Sequence, residues 1–202
     1  LLAGCGVSQT EISSVDEDVL AEDGAELSTV SRTYVTFTRD YRKCVSPMCG
    51  GYYVTDVNRA TPAARYVNAL DFSQAGLDEA AIAAVLEGEA GNVVLRGKLG
   101  PAEPQFNTRA FLVTDAWRGM PGVTAVAGEK FFRAHQVDIQ CFVAPCPSLS
   151  AARLHSTEAT LYHRTKVSRA AVNHVDQQWL RNRIELHGAL ATGKFVKSGL
   201  ET

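Results

Sequence analysis

No stretch of the 202-residue chain approaches the ~20 consecutive apolar residues that a bilayer-spanning helix needs. It has no dense basic run and a formal net charge of -2, which argues against any global attraction to nucleic acid or to an anionic membrane surface. His-x-x-x-His, His-Glu-x-x-His, the Gly-x-Ser-x-Gly elbow, the P-loop and the dinucleotide fingerprint are all missing. The sequence thus lacks the spacing signatures of zinc hydrolases, α/β-hydrolases and nucleotide-binding enzymes. Residues 6–31 contain no base against seven acids: Glu11, Asp16, Glu17, Asp18, Glu22, Asp23 and Glu26. The rest of the chain carries 20 bases against 15 acids, spread without clustering. Cysteine is also scarce, with five residues in all. What is plentiful is ordinary apolar content, 46%, enough for one large globular domain or two small ones.

The five cysteines sort into one plus two plus two. Cys5 closes the run Leu2-Ala3-Gly4-Cys5, which resembles a bacterial lipobox. There the small residues fit the signal peptidase cleft, and the cysteine thiol receives the lipid. On this reading residues 1–5 are the end of a lipoprotein signal peptide whose basic and apolar parts are missing. Residues 1–4 would be removed, and acyl chains on Cys5 would hold the protein on a membrane surface. The alternative is an unpaired cysteine in a disordered tail. Residues 6–31 are acidic and poor in large apolar side chains, so they read as a disordered tether, with a short helix over 15–27 as the alternative. Such a coil would span roughly 28 Å.

The other four cysteines form two equal brackets, Cys44 and Cys49, then Cys141 and Cys146, each enclosing four residues and a proline. Placing Cys44 over Cys141 brings 34–38 over 131–135 and 52–57 over 149–154, and the runs 65–72 and 160–167 come next in their units, all strand-like. A helical period follows each. In the first, Asp78 is the N-cap, Ile82, Val85 and Leu86 form the stripe, and Gly88 stops the helix. In the second, Ser168 caps and Val172, Val175 and Trp179 form the stripe. Further strands are expected over 93–99 and 184–190, then over 110–117 with 194–200 as its counterpart. The expected fold is therefore α+β: two tandem homologous units, residues 32–122 and 129–202, each an antiparallel sheet with one helix packed on it.

Cysteines flanking a short hairpin loop face each other at a Cβ separation near that of a disulfide. Closing a six-residue ring contributes about 2 kcal/mol on chain-entropy grounds. Cys44–Cys49 and Cys141–Cys146 are thus read as disulfides closing two hairpins in an oxidising compartment. A four-cysteine zinc site is the alternative, since metal pairs tolerate such spacing. Redox motifs prefer two intervening residues.

The run Asp40-Tyr41-Arg42-Lys43-Cys44-Val45-Ser46-Pro47-Met48-Cys49-Gly50-Gly51-Tyr52-Tyr53-Val54, ending at Val57-Asn58-Arg59, resembles the signature of an uncharacterised domain found in bacterial lipoproteins. The second unit departs from it, with Pro147-Ser148-Leu149 replacing Gly50-Gly51-Tyr52 and His155 replacing Asn58. The resemblance implies export and architecture, and no catalytic residue. Gly50 and Gly51 would allow a positive φ, a bulge or a close backbone approach. If a ligand lies on that backbone, Gly50, Gly51, Tyr52 and Tyr53 are the binding candidates.

All five histidines, His135, His155, His163, His174 and His187, fall in the second half and read as isolated rather than as ligands. No catalytic residue, metal or cofactor is expected. The expected function is non-enzymatic: a lipid-anchored extracytoplasmic binding or assembly module of the cell envelope, placed at the outer membrane. Its partner would be a protein or envelope component reached through a sheet face or the closed loops, and not a nucleic acid. Two rivals remain open. One is inhibition of an extracellular protease by a closed loop; the other is a metal-dependent hydrolase using His135, His155, His163 or His187 with an acid.

Overall fold

A computed structural model of the chain describes residues 5–6, 32–88, 92–120, 128–142, 146–162, 164–165 and 177–195. The 7–31 part of the expected tether, the Ser168 cap with Val172 and Val175, His163 and His174, and 196–200 of the last expected strand lie outside them. So do residues 1–4.

The fold is mostly β, with 45% strand and 11% helix, which corrects the α+β expectation. The first unit contains β2 (Thr33–Arg39), β3 (Tyr52–Asp56), β4 (Ala64–Val67), β5 (Ala69–Asp71), α1 (Glu79–Leu86), β6 (Val93–Ala102) and β7 (Arg109–Arg118). They make a six-stranded sheet in the order β4-β3-β2-β6-β7-β5. Its two outer strands, β4 and β5, are consecutive in sequence and separated only by Asn68. The run 64–71 pairs antiparallel with β3 at one end and parallel with β7 at the other. Asn68 N–H, at the bend, donates to Arg109 O at 3.0 Å. One bent strand thus closes the sheet on itself. A three-stranded meander, a helix, a fourth strand beside the first and a fifth parallel to the third make the five-stranded Greek-key barrel of the OB type.

In the first unit, closure explains why α1 does not cover a sheet face. The barrel interior is filled by the strands themselves: Val35, Phe37, Val54, Val67, Val93, Leu95, Phe111 and Val113 are buried in one cluster. At eight residues α1 is too short to cover a sheet, and it adds Val85 and Ile82 to that cluster. It starts where the sequence suggests, with the Asp78 carboxylate accepting from Ala81 N–H at 2.7 Å.

The second unit contains β8 (Lys130–Gln136), β9 (Leu149–Arg153), β10 (Ala159–Tyr162), β11 (Arg164–Thr165), α2 (Gln177–His187) and β12 (Ala189–Gly193). Its four-stranded sheet runs β10-β9-β8-β12, the order of β4-β3-β2-β6. Registers match as well. Tyr53 faces Tyr66 where Ser150 faces Leu161, and Val35 faces Leu95 where Phe132 faces Ala191. Residues 184–190, expected as a strand, are the end of α2 and the start of β12. The buried Ile184 lies on the helix, whose last turn closes with Gly188 N–H donating to Ile184 O. The short β1 (Cys5–Gly6) pairs with β11.

The two units join through matched residues. Tyr34 and Phe131, Val57 and Leu154, and Val94 and Leu190 hold equivalent positions in the two frames, and all six pack in one cluster with Trp117 and Met120. Asn58 and its counterpart His155 both take positive φ, 61° and 69°. Each then reaches across the junction. Asn58 Nδ2–H donates to Phe131 O at 2.7 Å and Leu154 O at 3.1 Å, and its Oδ1 accepts from Phe131 N–H at 2.8 Å. His155 Nε2 lies 3.1 Å from Tyr34 O.

Candidate functional site

The loop between β2 and β3, residues 40–51, gathers most of the quoted signature. Asp40 N–H donates to Gly51 O at 2.9 Å, so the ladder runs one step past the strands before the chain opens out. Cys44 and Cys49 are joined within this loop at a Cα separation of 5.7 Å. They therefore staple the loop's tip rather than flanking the hairpin strands, as the sequence had suggested. Inside the staple the chain turns back, with Met48 N–H donating to Val45 O at 3.0 Å. Cys141 and Cys146 are joined at the same 5.7 Å in the second unit.

Three groups hold the first loop. Asp40 is buried, and its carboxylate accepts from Arg42 Nε–H at 3.0 Å and Nη2–H at 2.9 Å, and from Arg42 N–H at 3.1 Å. The Arg42 guanidinium lies 5.6 Å and 5.7 Å from the ring centres of Tyr53 and Tyr66, so the cation caps an aromatic pair on the outside of the barrel. Those two rings meet edge to face at 5.6 Å. The Tyr66 hydroxyl donates to Pro47 O at 2.9 Å and accepts from Gly51 N–H at 3.3 Å, tying the turn to the strand. The hydrogen bonds from Arg42 hold the Asp40 carboxyl below its ordinary value of 3.8, outweighing the opposing effect of burial. The same pairing raises the pKa of Arg42.

The glycines of the sequence reading belong to this brace. Gly50 has φ +83°, which favours a residue without Cβ. A Cβ on Gly51 would collide with Val67 O and Asn68 Cα, so the close approach at Gly51 is made by the neighbouring strand. Tyr52 points into the barrel against Phe37, at 5.6 Å edge to face, whereas Tyr53 points outward under Arg42. Tyr53 is among the residues expected from the sequence, whereas its partners Asp40, Arg42 and Tyr66 are not. The available signal was Asp-x-Arg just before Cys44.

With the loop held, its tip exposes apolar side chains: Tyr41 is 82%, Val45 78% and Met48 62% accessible, and Ser46 is exposed beside them. In the second unit Phe142, the counterpart of Val45, is fully exposed. The backbone step recurs there, with Val137 N–H donating to Ser148 O at 2.9 Å, but the brace does not. Val137, Ile139, Ser150 and Leu161 stand where the first unit has Asp40, Arg42, Tyr53 and Tyr66.

Among the described residues no group of three or more His, Cys, Asp or Glu is placed to hold a metal ion. His135 and His155 are exposed, and His187 ends α2. No helix among the described residues is long and apolar enough to cross a membrane. Neither a curated protein nor a solved structure matches the chain. A family model described as a domain of unknown function, DUF6748, matches residues 33–198, from the first residue of β2 to beyond β12. The barrel, the second sheet and both stapled loops all fall within that match, and the chain belongs to the DUF6748 family.

Proposed function

We propose that this protein is a lipid-tethered extracytoplasmic binding module whose contact element is the braced loop 40–51. The observation that carries this reading is the exposure of Tyr41, Val45 and Met48 on a loop held by a disulfide, the Asp40–Arg42 pair and Tyr66. Single exposed apolar residues are ordinary, whereas a cluster on one loop suits a protein contact. A loop already fixed in shape loses little conformational entropy on binding. In OB-type barrels the loop joining the first two strands is a recurrent contact surface, which supports the placement by analogy. Two disulfides fit an oxidising compartment, and the lipobox-like Leu2-Ala3-Gly4-Cys5 supplies the tether. Matching strand order, register and positive-φ turns support descent of the two units from one duplicated unit. On that reading the first loop kept its brace while the second kept only the staple.

Protease inhibition gains less support. A substrate-like inhibitor presents extended backbone, whereas Val45–Met48 folds back on itself. The test places a photo-crosslinking side chain at Val45 or Met48 in cells making the full precursor, with exposed Gln74 as control. The expected result is one discrete protein adduct from both loop positions and none from Gln74. Adducts that are absent from the loop, or the same at all three positions, would reject the loop as contact element. Mass spectrometry of the membrane-extracted protein tests the tether: an unmodified Cys5 thiol there refutes lipidation.

A further inference from the structure

A second feature lies away from the loop, where the two units meet. A groove of about 530 Å³ is lined by Arg133, His135, Arg153, His155, Ser156 and Tyr34, among others. β8 supplies its floor. Arg133 and His135 are exposed and alternate with the buried Phe132 and Ala134, so they share the face turned away from the second unit's inner cluster. The turn after β9 supplies one wall, with His155 held in place by Tyr34. Its Nε2 lies against Tyr34 O, and its ring meets the Tyr34 ring edge to face at 5.6 Å. The end of α2 at Leu186 and Gly188 supplies the other wall.

The charge of this groove is one-sided. Among the described residues, two guanidinium groups and two imidazoles line it and no carboxylate does. The whole chain has a net charge of -2, so the groove departs from the average. The first unit's corresponding groove, between β2 and the end of α1, is different. There Thr38 stands at the position of His135, and the lining holds one arginine, Arg39, together with the carboxylate of Glu87. Two arginines without a carboxylate beside them are thus a property of the second unit's groove at the junction, and a shared frame does not require them. Arginines presenting planar N–H forks suit carboxylate and phosphate oxygens. The Ser156 hydroxyl and the last-turn carbonyls of α2, which helical geometry leaves without an intrahelical donor, suit hydroxyl groups beside the anion. The volume is that of a small-molecule site.

We infer that this groove binds a small organic anion, a phosphate- or carboxylate-bearing molecule that also carries hydroxyl groups. It is a separate site from the loop, and either assignment can fail without the other. The test uses the whole chain, isotope-labelled and oxidised, titrated with glucose 6-phosphate, glucuronate, inorganic phosphate and glucose while amide NMR shifts are followed. Either or both of the sugar acids should move the signals of 133–135, 152–156 and 186–188 at millimolar concentration or below. Glucose should leave them unmoved, and inorganic phosphate should move them more weakly than the sugar phosphate. Arg133→Ala and Arg153→Ala should each weaken binding about tenfold, while Arg39→Ala, in the corresponding first-unit groove, should leave it unchanged. Both arginines are exposed, so neither change threatens the core. Shifts scattered over the surface, equal shifts with glucose, or binding unaffected by the double R133A/R153A change would overturn the assignment.

Discussion

Asn58 offers the sharpest test of how the two units are joined. Its side chain makes three hydrogen bonds across the junction, all to backbone of the second unit, and its own φ is +61°. Replacing it with glycine removes the bonds and leaves the backbone comfortable. At about 1 kcal/mol net for each bond, the loss is about 3 kcal/mol. Alanine removes the same bonds and adds about 1 kcal/mol for a left-handed Cβ. In a chain of this length 1 kcal/mol moves the midpoint by roughly 2–4 °C, so Asn58→Gly should lower it by roughly 6–12 °C and Asn58→Ala by a few degrees more. Calorimetry of the oxidised protein, with circular dichroism alongside, gives both midpoints and the shape of the transition. A glycine variant melting within about a degree of the parent would refute the bridge, because a three-bond loss cannot hide in that interval. If alanine and glycine melt together but below the parent, the bonds matter and the φ argument is wrong.

Other expectations concern the brace. Tyr66→Phe keeps the ring stack and loses both hydroxyl bonds, so it should cost about 1–2 kcal/mol and speed amide exchange at Gly51 more than in the barrel strands. Gly51→Ala should destabilise by about 1–3 kcal/mol, since the intruding methyl meets backbone atoms that cannot swing away. Asp40 has a depressed pKa in the folded protein, so its contribution is fully present above the ordinary value of 3.8 and is lost as pH falls through the folded value. Stability should therefore decline in acid below about pH 4, and Asp40→Asn should flatten that limb while lowering stability at neutral pH. An acid limb unchanged by the substitution would remove Asp40 from the account.

Much of the frame was legible in the sequence because it repeats. Alternating patterns led into and out of each cysteine pair, and the 97-residue spacing that aligns Cys44 with Cys141 also aligns β2 with β8 and β3 with β9, end to end. Closure was not legible. Residues 65–72 read as one strand, and nothing in their side chains says that Asn68 sends its two halves to opposite edges of the same sheet. The strand expected at 184–190 failed for a local reason. Ile184, Leu186 and Leu190 alternate as a strand would, but the first two lie on a helix stopped by Gly188, with φ +68°. In the candidate site Gly50 and Gly51 were visible as special backbone. Their partners were not, because a buried aspartate, a capping arginine and a tyrosine on the next strand come together only when β3 pairs with β4. The junction was equally hidden. The alignment sets His155 against Asn58, but the two differ chemically, and only the fold shows that both take a positive φ and reach across to the other unit.

On the proposed function, the exposed tip of loop 40–51 is covered in the native envelope. Met48 reports on this directly, because its thioether oxidises at a rate set by access and Met120 provides an internal reference. Brief peroxide treatment of intact envelopes and of purified protein, with sulfoxide counted at each methionine, gives two rate ratios. Met48 should be protected about tenfold or more in the envelope, while Met120 changes little. Equal oxidation of Met48 in both preparations would contradict it.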